Sequence, residues 1–369
     1  MFALNFLFKK QISYLKVALI AVILIFAVNT RIQEFSDAGK DYSTYMETIQ
    51  SFLRGENIYQ HTIDSYKNVK DIGGHGYAYF PGFLYLFTFL YGISLKIGIS
   101  YVILWKIPVL LADIGVAILL YRYLSKYNFF VALFAVLFWC FNPYTYTHGS
   151  YSLVDPVPVF FSLLALLYLE KDDVLSGVFF TLSVIFKPFA LIFLPLFLIK
   201  AKKWYEFILA CGIIFGIISL PFILSLNGIL TYLGGTILVH SNRVLEGRPF
   251  LFYISYFYKV ELFQIIPLSF YSRMATFFGW VLILVFYFVF KLKDKFILAS
   301  LSALNFLLFT PVLNRTYLLW FIPIFIIALF NLSSKYRKNI IYYTPLVIYW
   351  VFCYWYLQQW KDGFHVWHP

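Results

Sequence analysis

The sequence predicts an all-α protein that crosses a membrane many times. Of its 369 residues, 62% are hydrophobic and only 12% are charged, and the mean hydropathy is +0.79. The apolar residues form long runs, and about 20 such residues are enough for one membrane-spanning helix. These runs do not alternate polar with apolar residues, which excludes the strands of a membrane barrel. We therefore expect one integral membrane domain, residues 1–369, with about ten to twelve transmembrane or re-entrant helices.

The basic residues set the direction of each helix. The net charge of +12 would suggest a nucleic-acid partner in a soluble protein. Here most of the cations cluster beside the ends of apolar runs, as they do in cytoplasmic loops, so no nucleic-acid partner is expected. The three cysteines lie in apolar runs without the spacing of metal ligands or of a disulfide framework. The clusters that we place in the cytoplasm are Lys9/Lys10/Lys16, Arg122/Lys126, Lys200/Lys202/Lys203, Lys291/Lys293/Lys295 and Lys335/Arg337/Lys338.

With these clusters inside, the first apolar run leads outward as an uncleaved anchor and the later runs follow in turn. The run at 81–95 is short and contains glycine, so it is a half-span or an interfacial helix. The run at 251–267 is aromatic and amphipathic, which is typical of an interfacial helix. No internal repeat is visible. The predicted runs are 17–28, 81–95, 101–121, 129–144, 156–169, 174–199, 207–226, 251–267, 277–290, 296–312, 317–332 and 340–356.

One run cannot be a single span without breaking the charge rule. Residues 174–199 have Asp172 and Asp173 before them and Lys200 to Lys203 after them, and a single span would place the lysines outside. Lys187-Pro188 interrupts the run, and proline cannot continue the helical hydrogen bonds. Two half-helices that meet at Lys187 would keep both ends cytoplasmic. Such a break is tolerated in a bilayer only where it lines a cavity.

Two polar segments are predicted to lie outside the membrane. The first, residues 31–80, is expected to be a catalytic loop with an amphipathic helix, because a loop of this length is more often functional than merely connecting. The second, residues 227–268, is an outer loop followed by the interfacial helix. The first segment contains seven of the seventeen carboxylates of the chain, namely Glu34, Asp37, Asp41, Glu47, Glu56, Asp64 and Asp71.

Charge bias alone therefore collects a set of reactive side chains on the outer face, and Lys187 could point the same way from the tip of its turn. Carboxylates beside cations suit the transfer of a sugar from a polyprenyl phosphate. The attacking hydroxyl needs one general base. The departing lipid phosphate needs Arg or Lys rather than a second acid, and direct displacement inverts the anomeric centre. The outer set is Asp37, Asp41, His148, Asp155, His240, Arg243, Arg248 and Arg315.

Several short motifs occur in an order that resembles a known superfamily. They are Gly39-Lys40-Asp41-Tyr42-x-x-Tyr45, Leu53-Arg54-Gly55-x-x-Ile58-Tyr59, Tyr77-x-Tyr79-Phe80-Pro81, Lys106-x-Pro108-x-x-Leu111-Ala112-Asp113, Phe141-Asn142-Pro143, Gly149 with Asp155, Phe186-Lys187-Pro188, and Asn314-Arg315-x-Tyr317-Leu318-Leu319-Trp320. Over residues 15–335 the chain resembles the GT-C glycosyltransferases, in particular the polyprenyl-phosphate-mannose-dependent mannosyltransferases of the GPI mannosyltransferase I and mycobacterial types. In place of the Gln that precedes the Asp in those enzymes, this chain has Leu153-Val154.

The resemblance implies a GT-C fold, a lipid-phosphate sugar donor and Asp41 as the catalytic base, with Asp37 as the second candidate. Asp41 could equally cap the helix that follows it. Arg315 is expected to bind the donor phosphate, although a position near a helix end also suits an arginine that reaches the interface. Lys187, an ionisable residue within an apolar run, is the other expected phosphate ligand.

The remaining expectations concern the walls of the site. Arg243 and Arg248 would bind phosphate or lipid headgroups, or belong to a solvated loop. No metal and no cofactor beyond the donor are expected, since no ligand spacing suits a cation. The histidines are expected to be interface residues, and Asp113 could pair with Lys106 or Lys187. The pocket is expected to include Tyr42, Tyr45, His148, Asp155 and Tyr317.

The sequence thus predicts an inverting hexosyltransferase, with mannose as the favoured sugar. The expected partners are a polyprenyl- or dolichyl-phosphate hexose, a lipid-linked glycan or glycolipid acceptor, membrane lipids and an accessory membrane subunit. We expect the plasma membrane of a prokaryote with an outward-facing site, or the endoplasmic reticulum of a eukaryote. Two alternatives are a transporter or lipid flippase, with Asp113 and Lys187 as a midplane charge pair, and a non-catalytic membrane subunit.

Overall fold

The computed structural model describes residues 2–33, 35, 42–67, 76–143, 154–242, 249–250, 268–310, 312–336 and 344–361. Within these ranges the chain forms helices and short 3-10 turns, with no β-strand. The protein is therefore the all-α polytopic membrane protein that its sequence predicts.

The α-helices are numbered in chain order. They are α1 (Phe2–Ile32), α2 (Tyr42–Leu53), α3 (Ile58–Lys67), α4 (Gly82–Ile97), α5 (Tyr101–Leu124), α6 (Phe129–Cys140), α7 (Pro156–Tyr168), α8 (Asp173–Phe186), α9 (Leu194–Lys200), α10 (Trp204–Ser219), α11 (Leu226–Thr236), α12 (Leu268–Phe288), α13 (Lys295–Phe309), α14 (Tyr317–Trp320), α15 (Ile322–Tyr336) and α16 (Thr344–Lys361). The 3-10 turns are Pro188–Phe193, Leu220–Phe222 and Leu238–Asn242.

Three segments of the described chain are long and apolar enough to cross a membrane, namely Tyr14–Ile32, Tyr101–Leu124 and Trp204–Phe222. Eight shorter apolar helices accompany them among the described residues. The first and third of the long segments expose most of their length, including Leu15, Ile25, Leu209 and Ile217. Exposed side chains of this kind are suited to contact with lipid, because a helix that is apolar all round belongs in an apolar solvent.

The run at 174–199 is broken at Lys187-Pro188, as predicted. Lys187 has an extended backbone (φ −150°, ψ 133°), and Pro188 opens the 3-10 turn that leads into α9. The chain then returns to where α8 began. The Lys200 ammonium lies 2.5 Å from Glu170 Oε1, and the Lys203 backbone N–H donates to Asp173 Oδ2 at 2.7 Å. Both ends of the broken segment therefore lie at one end of the bundle, which we call the lysine-rich end.

Side-chain caps fix where several helices start. Asn128 Oδ1 accepts from the backbone N–H groups of Phe130 and Val131 at the start of α6. Asp172 Oδ1 accepts from Leu175 N before α8, and Asp294 Oδ1 accepts from Phe296 N and Ile297 N before α13. Such caps satisfy backbone donors that have no partner within the helix. Asp172 is thus a helix cap.

Some helix boundaries differ from the predicted runs. The run expected at 277–290 begins at Leu268, because the helix continues through polar residues that interrupt the apolar pattern. The run expected at 317–332 is divided at Phe321 into the single turn α14 and the helix α15. The short run at 81–95 forms a 16-residue helix that ends at Gly98 in a left-handed conformation (φ 71°), which suits glycine.

The two polar segments that the sequence predicts to lie outside pack against each other through α3 and α11. The Tyr59 ring lies 5.0 Å from the Tyr232 ring, with the two planes nearly perpendicular. A Cβ atom at Gly235 would lie 2.9 Å from the Tyr59 backbone oxygen, so this close approach requires glycine. Helix α2 packs its buried Tyr45 against Phe87 and Trp105. The 31–80 segment is therefore anchored at several points.

Candidate active site

A buried ion pair lies where α7 begins and α8 ends. The Lys187 ammonium donates to Asp155 Oδ1 at 2.7 Å, and the two side chains are only 9% and 1% exposed. Asp155 immediately precedes α7, and Lys187 immediately follows α8. Because a short turn joins these helices as antiparallel neighbours, their far ends meet. Two residues 32 positions apart are thereby brought into contact, away from the lysine-rich end.

Aromatic side chains surround this pair. The Trp320 indole N–H donates to Asp155 Oδ1, and the same ring stacks on Phe189 with centroids 4.6 Å apart. The Lys187 ammonium lies 5.3 Å from the Tyr79 ring centroid and 5.6 Å from that of Trp320. A desolvated ammonium is attracted to the face of an aromatic ring. Lys187 is thus held in place by an anion and two rings.

Only one of the two carboxylate oxygens of Asp155 accepts hydrogen bonds from the described residues. Oδ1 receives both hydrogen bonds, whereas the buried Oδ2 has no hydrogen-bond partner among the residues that the structure describes. A buried acceptor without a donor is costly, and a carboxylate has two oxygens that can each accept. Such exceptions in a native structure call for a functional explanation.

Lys187 opens onto a cavity of about 320 Å³. The cavity wall is mainly apolar and aromatic, with a few polar groups that include His240, Thr276 and Thr310. A mainly apolar cleft with a small number of placed polar groups is the usual form of a ligand site. Its described lining residues are Tyr79, Lys187, Pro188, Phe189, Leu191, Ile192, Ile237, His240, Thr276, Trp280, Phe306, Thr310, Val312, Tyr317 and Trp320.

The segment that carries Tyr79 is fixed by hydrogen bonds from Tyr59, Tyr77 and His240. Tyr59 Oη donates to the Tyr79 backbone oxygen at 3.1 Å, and Tyr77 Oη donates to the Phe80 oxygen at 2.7 Å. The His240 ring lies 2.7 Å from the Ala78 oxygen. Burial raises the pKa of Tyr59 and of Tyr77 well above the ordinary value of a tyrosine, so both phenols remain neutral donors.

A second buried ion pair joins α1 to α5. Arg31 Nε donates to Asp113 Oδ2 at 2.7 Å, and the two other nitrogens of its guanidinium donate to the backbone oxygens of Ala27 and Cys140 at 3.0 and 2.9 Å. The expectation that Asp113 pairs with Lys106 or Lys187 is therefore wrong. Arg31 pairs with Asp113 instead, because it lies in the last turn of α1, next to this carboxylate. The charge pair of the transporter alternative does not form.

The structure brings together part of the predicted site. Asp155 and Lys187 are in contact, and Tyr317 lines the same cavity. Arg315 is partly buried in the turn that leads to Tyr317. Tyr42 and Tyr45 instead pack in the aromatic cluster around Trp105 and do not line the cavity. Five predicted site residues lie outside the described residues, namely Asp37, Asp41, His148, Arg243 and Arg248.

Sequence reasoning missed the roles of Trp320, Phe189 and Arg31. Trp320 stands three residues after Tyr317, so both face the cavity from one helical turn. Phe189 follows the Lys187-Pro188 break and its ring supports Trp320. Arg31 could have been found as a cation at the end of an apolar helix. In the described part of the chain, no three His, Cys, Asp or Glu side chains are grouped to hold a metal ion.

Comparison with known proteins supplies the class. No curated protein matches the chain. The model of glycosyltransferase family 87 matches residues 77–312, which is well over half of the chain and includes Tyr79, Asp155, Lys187 and His240. The buried pair and most of the cavity wall therefore lie within the matched region. The chain belongs to glycosyltransferase family 87.

Proposed function

We propose that this glycosyltransferase moves a hexose, with mannose favoured, from a polyprenyl phosphate to a lipid-linked glycan or glycolipid. The observation that supports this most directly is an apolar cavity with a buried ammonium in its wall. An isoprenoid chain is apolar and its phosphate is anionic, so one cavity offers a suitable surface to both parts. A water-soluble nucleotide sugar would have little use for so apolar a wall.

Lys187 is the proposed ligand of the donor phosphate. An ammonium has three donors, and the structure engages one of them with Asp155. Asp155 keeps Lys187 positioned when the site is empty, and the remaining donors are available to phosphate oxygens. Arg315 lies two residues before the cavity residue Tyr317 and would add a bidentate contact. Arg243 and Arg248 are proposed as further phosphate or headgroup ligands from the second outer loop.

The proposed chemistry is a single displacement with one base. Asp41 takes the proton of the acceptor hydroxyl as its oxygen bonds to the anomeric carbon, and Asp37 is the second candidate for this role. The bond from that carbon to the phosphate oxygen breaks, and the lipid phosphate leaves with the electron pair. Because the leaving group is already a stable anion, cations suffice to stabilise it. Attack opposite the phosphate inverts the anomeric centre.

The proposal also includes where the enzyme acts. The site faces away from the cytoplasm, because the lysine clusters lie at the opposite end of the broken helix pair and basic residues favour the cytoplasmic side. The enzyme then works at the outer face of a prokaryotic plasma membrane, or at the lumenal face of the endoplasmic reticulum in a eukaryote. A GT-C fold and an accessory membrane subunit belong to the same proposal.

Transfer by the purified protein tests this function. The protein in nanodiscs is incubated with radiolabelled polyprenyl-phosphate mannose and a total lipid extract of the host. We expect labelled lipid from the wild type and from Asp64→Asn, an exposed carboxylate on α3 that serves as the matched control. We expect a loss of at least about a hundredfold for Asp41→Asn.

The same assay with polyprenyl-phosphate glucose identifies the sugar. Activity with polyprenyl-phosphate glucose alone would support the proposed transfer reaction and show that the donor sugar is glucose and not mannose. Absence of transfer from either donor, with correctly folded protein, would contradict a polyprenyl-phosphate hexose donor. Full activity of Asp41→Asn would remove Asp41 as the base and leave Asp37 to be tested in the same way.

A further inference from the structure

A second cavity lies between the two helices of the first outer loop. It has a volume of about 210 Å³ and its walls come from α2, α3 and the segment that begins at Gly76. In contrast to the apolar cavity, most of its described lining side chains are polar. They are Ser43, Thr44, Glu47, Thr48, Ser51, His61 and Ser65, together with Ile58, Gly76 and Tyr77.

The walls of this polar cavity are held in place. Thr62 Oγ1 lies 3.0 Å from the Tyr77 oxygen, and Ser65 Oγ accepts from the Gly76 N–H at 2.9 Å. A Cβ atom at Gly76 would lie 2.8 Å from Thr62 Cα, so the chain passes α3 at a distance that only glycine allows. These contacts hold the walls in one arrangement, and a pre-arranged site has a lower entropic cost of binding a ligand.

Glu47 is the carboxylate in the wall of this cavity. Its side chain is exposed and makes no hydrogen bond or ion pair with the residues that the structure describes. The other carboxylate nearby, Glu56, is already engaged by Arg54 at 2.5 Å. The Glu47 carboxylate can accept hydrogen bonds from the hydroxyl groups of a ligand. The serine and threonine hydroxyl groups and His61 around it can donate to the same ligand or accept from it. This arrangement suits a ligand that is dense in hydroxyl groups.

The two cavities share one wall. Tyr77 lines the polar cavity and Tyr79 lines the apolar cavity, and the two rings lie 5.8 Å apart. The polar cavity also begins at Ser43, two residues after Asp41 in sequence. Ligands in the two cavities would therefore lie on either side of the segment from Tyr77 to Tyr79.

We infer that the polar cavity binds a sugar ring of the acceptor glycan. This inference rests on the proposed function, because it assigns the donor to the apolar cavity. Drug-sized ligands occupy sites of roughly 300–1,000 Å³, so a cavity of 210 Å³ fits a single small polar ring. A hexopyranose offers several hydroxyl groups to Glu47, Thr44 and His61.

Binding of simple glycosides tests the site without any transfer reaction. Saturation-transfer NMR is recorded on the purified full-length protein with methyl α-D-mannopyranoside, methyl α-D-glucopyranoside and methyl α-D-galactopyranoside, with no donor present. At least one should bind the wild type and Asp64→Asn, and Glu47→Gln should weaken it by about tenfold or more, since a charge-assisted hydrogen bond is lost. Asp64 lies on α3 outside the cavity, and its variant makes the same charge change.

Two results would overturn the assignment. One is that no glycoside binds the wild type, and the other is that Glu47→Gln binds as the wild type does. In the transfer assay, Glu47→Gln should raise the KM for the lipid acceptor and leave the KM for the donor unchanged. A rise in the donor KM alone would give the cavity to the donor sugar and overturn its assignment to the acceptor. Because glycoside binding needs no donor, its outcome is separate from that of the proposed reaction.

Discussion

The two buried ion pairs in the described part of the chain differ in how many hydrogen bonds their charged groups make. Arg31 uses all three guanidinium nitrogens, one on Asp113 and two on backbone oxygens, so the cation is surrounded by acceptors. Lys187 has one carboxylate oxygen and two aromatic rings, and the second oxygen of Asp155 has no donor among the described residues. The first pair is enclosed between helices, whereas the second opens onto a cavity.

We infer that this difference separates a structural pair from one that binds a ligand. Burying two charges costs several kcal/mol of desolvation, and good geometry with additional hydrogen bonds can offset that cost. Arg31–Asp113 has those bonds and joins α1 to the bundle. The Asp155–Lys187 pair lacks such a bond at the second oxygen of Asp155. We therefore attribute this pair to ligand binding and not to stability. Variants at each pair test this distinction.

The largest expected effect follows from Lys187→Met. Removal of the ammonium should reduce transfer by roughly a hundredfold or more, because a cation that stabilises the departing phosphate is lost. It also leaves Asp155 buried without its partner, so the protein should lose about 3–5 kcal/mol of stability. Initial rates and thermal unfolding in the same detergent measure the two effects. A Lys187→Met enzyme with normal rates would exclude Lys187 from the site.

Arg31→Met should mainly affect stability. The variant leaves Asp113 and two backbone oxygens without their donor, and a loss of about 3–5 kcal/mol is expected. Molecules that remain folded should retain a KM for the donor close to that of the wild type. Heat-denaturation curves and rates per folded molecule check this. A normal melting temperature with a lost reaction would reverse the roles of the two pairs.

Trp320→Phe gives a smaller and more selective effect. The variant keeps a ring against Phe189 and removes the indole donor to Asp155, which should reduce activity by about tenfold. Trp280→Phe is the matched control, since this indole lines the same cavity but donates to the Leu191 backbone oxygen. Equal rate losses in both variants would show that cavity shape, and not the bond to Asp155, is what matters.

Much of the fold follows from hydropathy and charge. The broken helix at Lys187-Pro188 was predictable, because the lysines after Ile199 could lie on the same side as Asp172 only if the chain turned back. The start of α12 was not predictable. Polar residues in its first turns interrupt the apolar run, so a search for apolar runs begins the helix too late. The division at Phe321 is equally invisible, because both sides of it are apolar.

The sequence predicted several residues of the candidate site, but it did not predict which cation pairs with which carboxylate. Lys187 stood out as a charge in an apolar run, and charge bias placed Asp155 on the same face. Which cation meets which carboxylate depends on helix packing, which has no local signal. Asp113 therefore forms its ion pair with Arg31, whereas Lys106 or Lys187 was expected. Tyr45 matched a motif, yet its ring is part of the core.

The exposed pair between Arg54 and Glu56 should have the smallest effect. The Arg54 guanidinium lowers the pKa of Glu56 from its ordinary 4.5 to about 2. Because the folded pKa is the lower one, the pair contributes stability above pH 4.5 and loses it as the pH falls towards 2. Both side chains are more than a third exposed, so Glu56→Gln should hardly change the melting temperature at pH 7. A clear drop would mean that the loop depends on this pair.

We infer that, of the two buried pairs, only Asp155–Lys187 takes part in the reaction, and two charge-neutral double variants distinguish the pairs. Lys187→Met/Asp155→Asn and Arg31→Met/Asp113→Asn each remove both charges, so neither leaves a buried charge alone. Transfer from polyprenyl-phosphate hexose is measured per folded molecule for both. We predict that the first is folded and inactive and that the second keeps activity within a few-fold of the wild type. Activity in the first, or its loss in a folded second, would contradict the account.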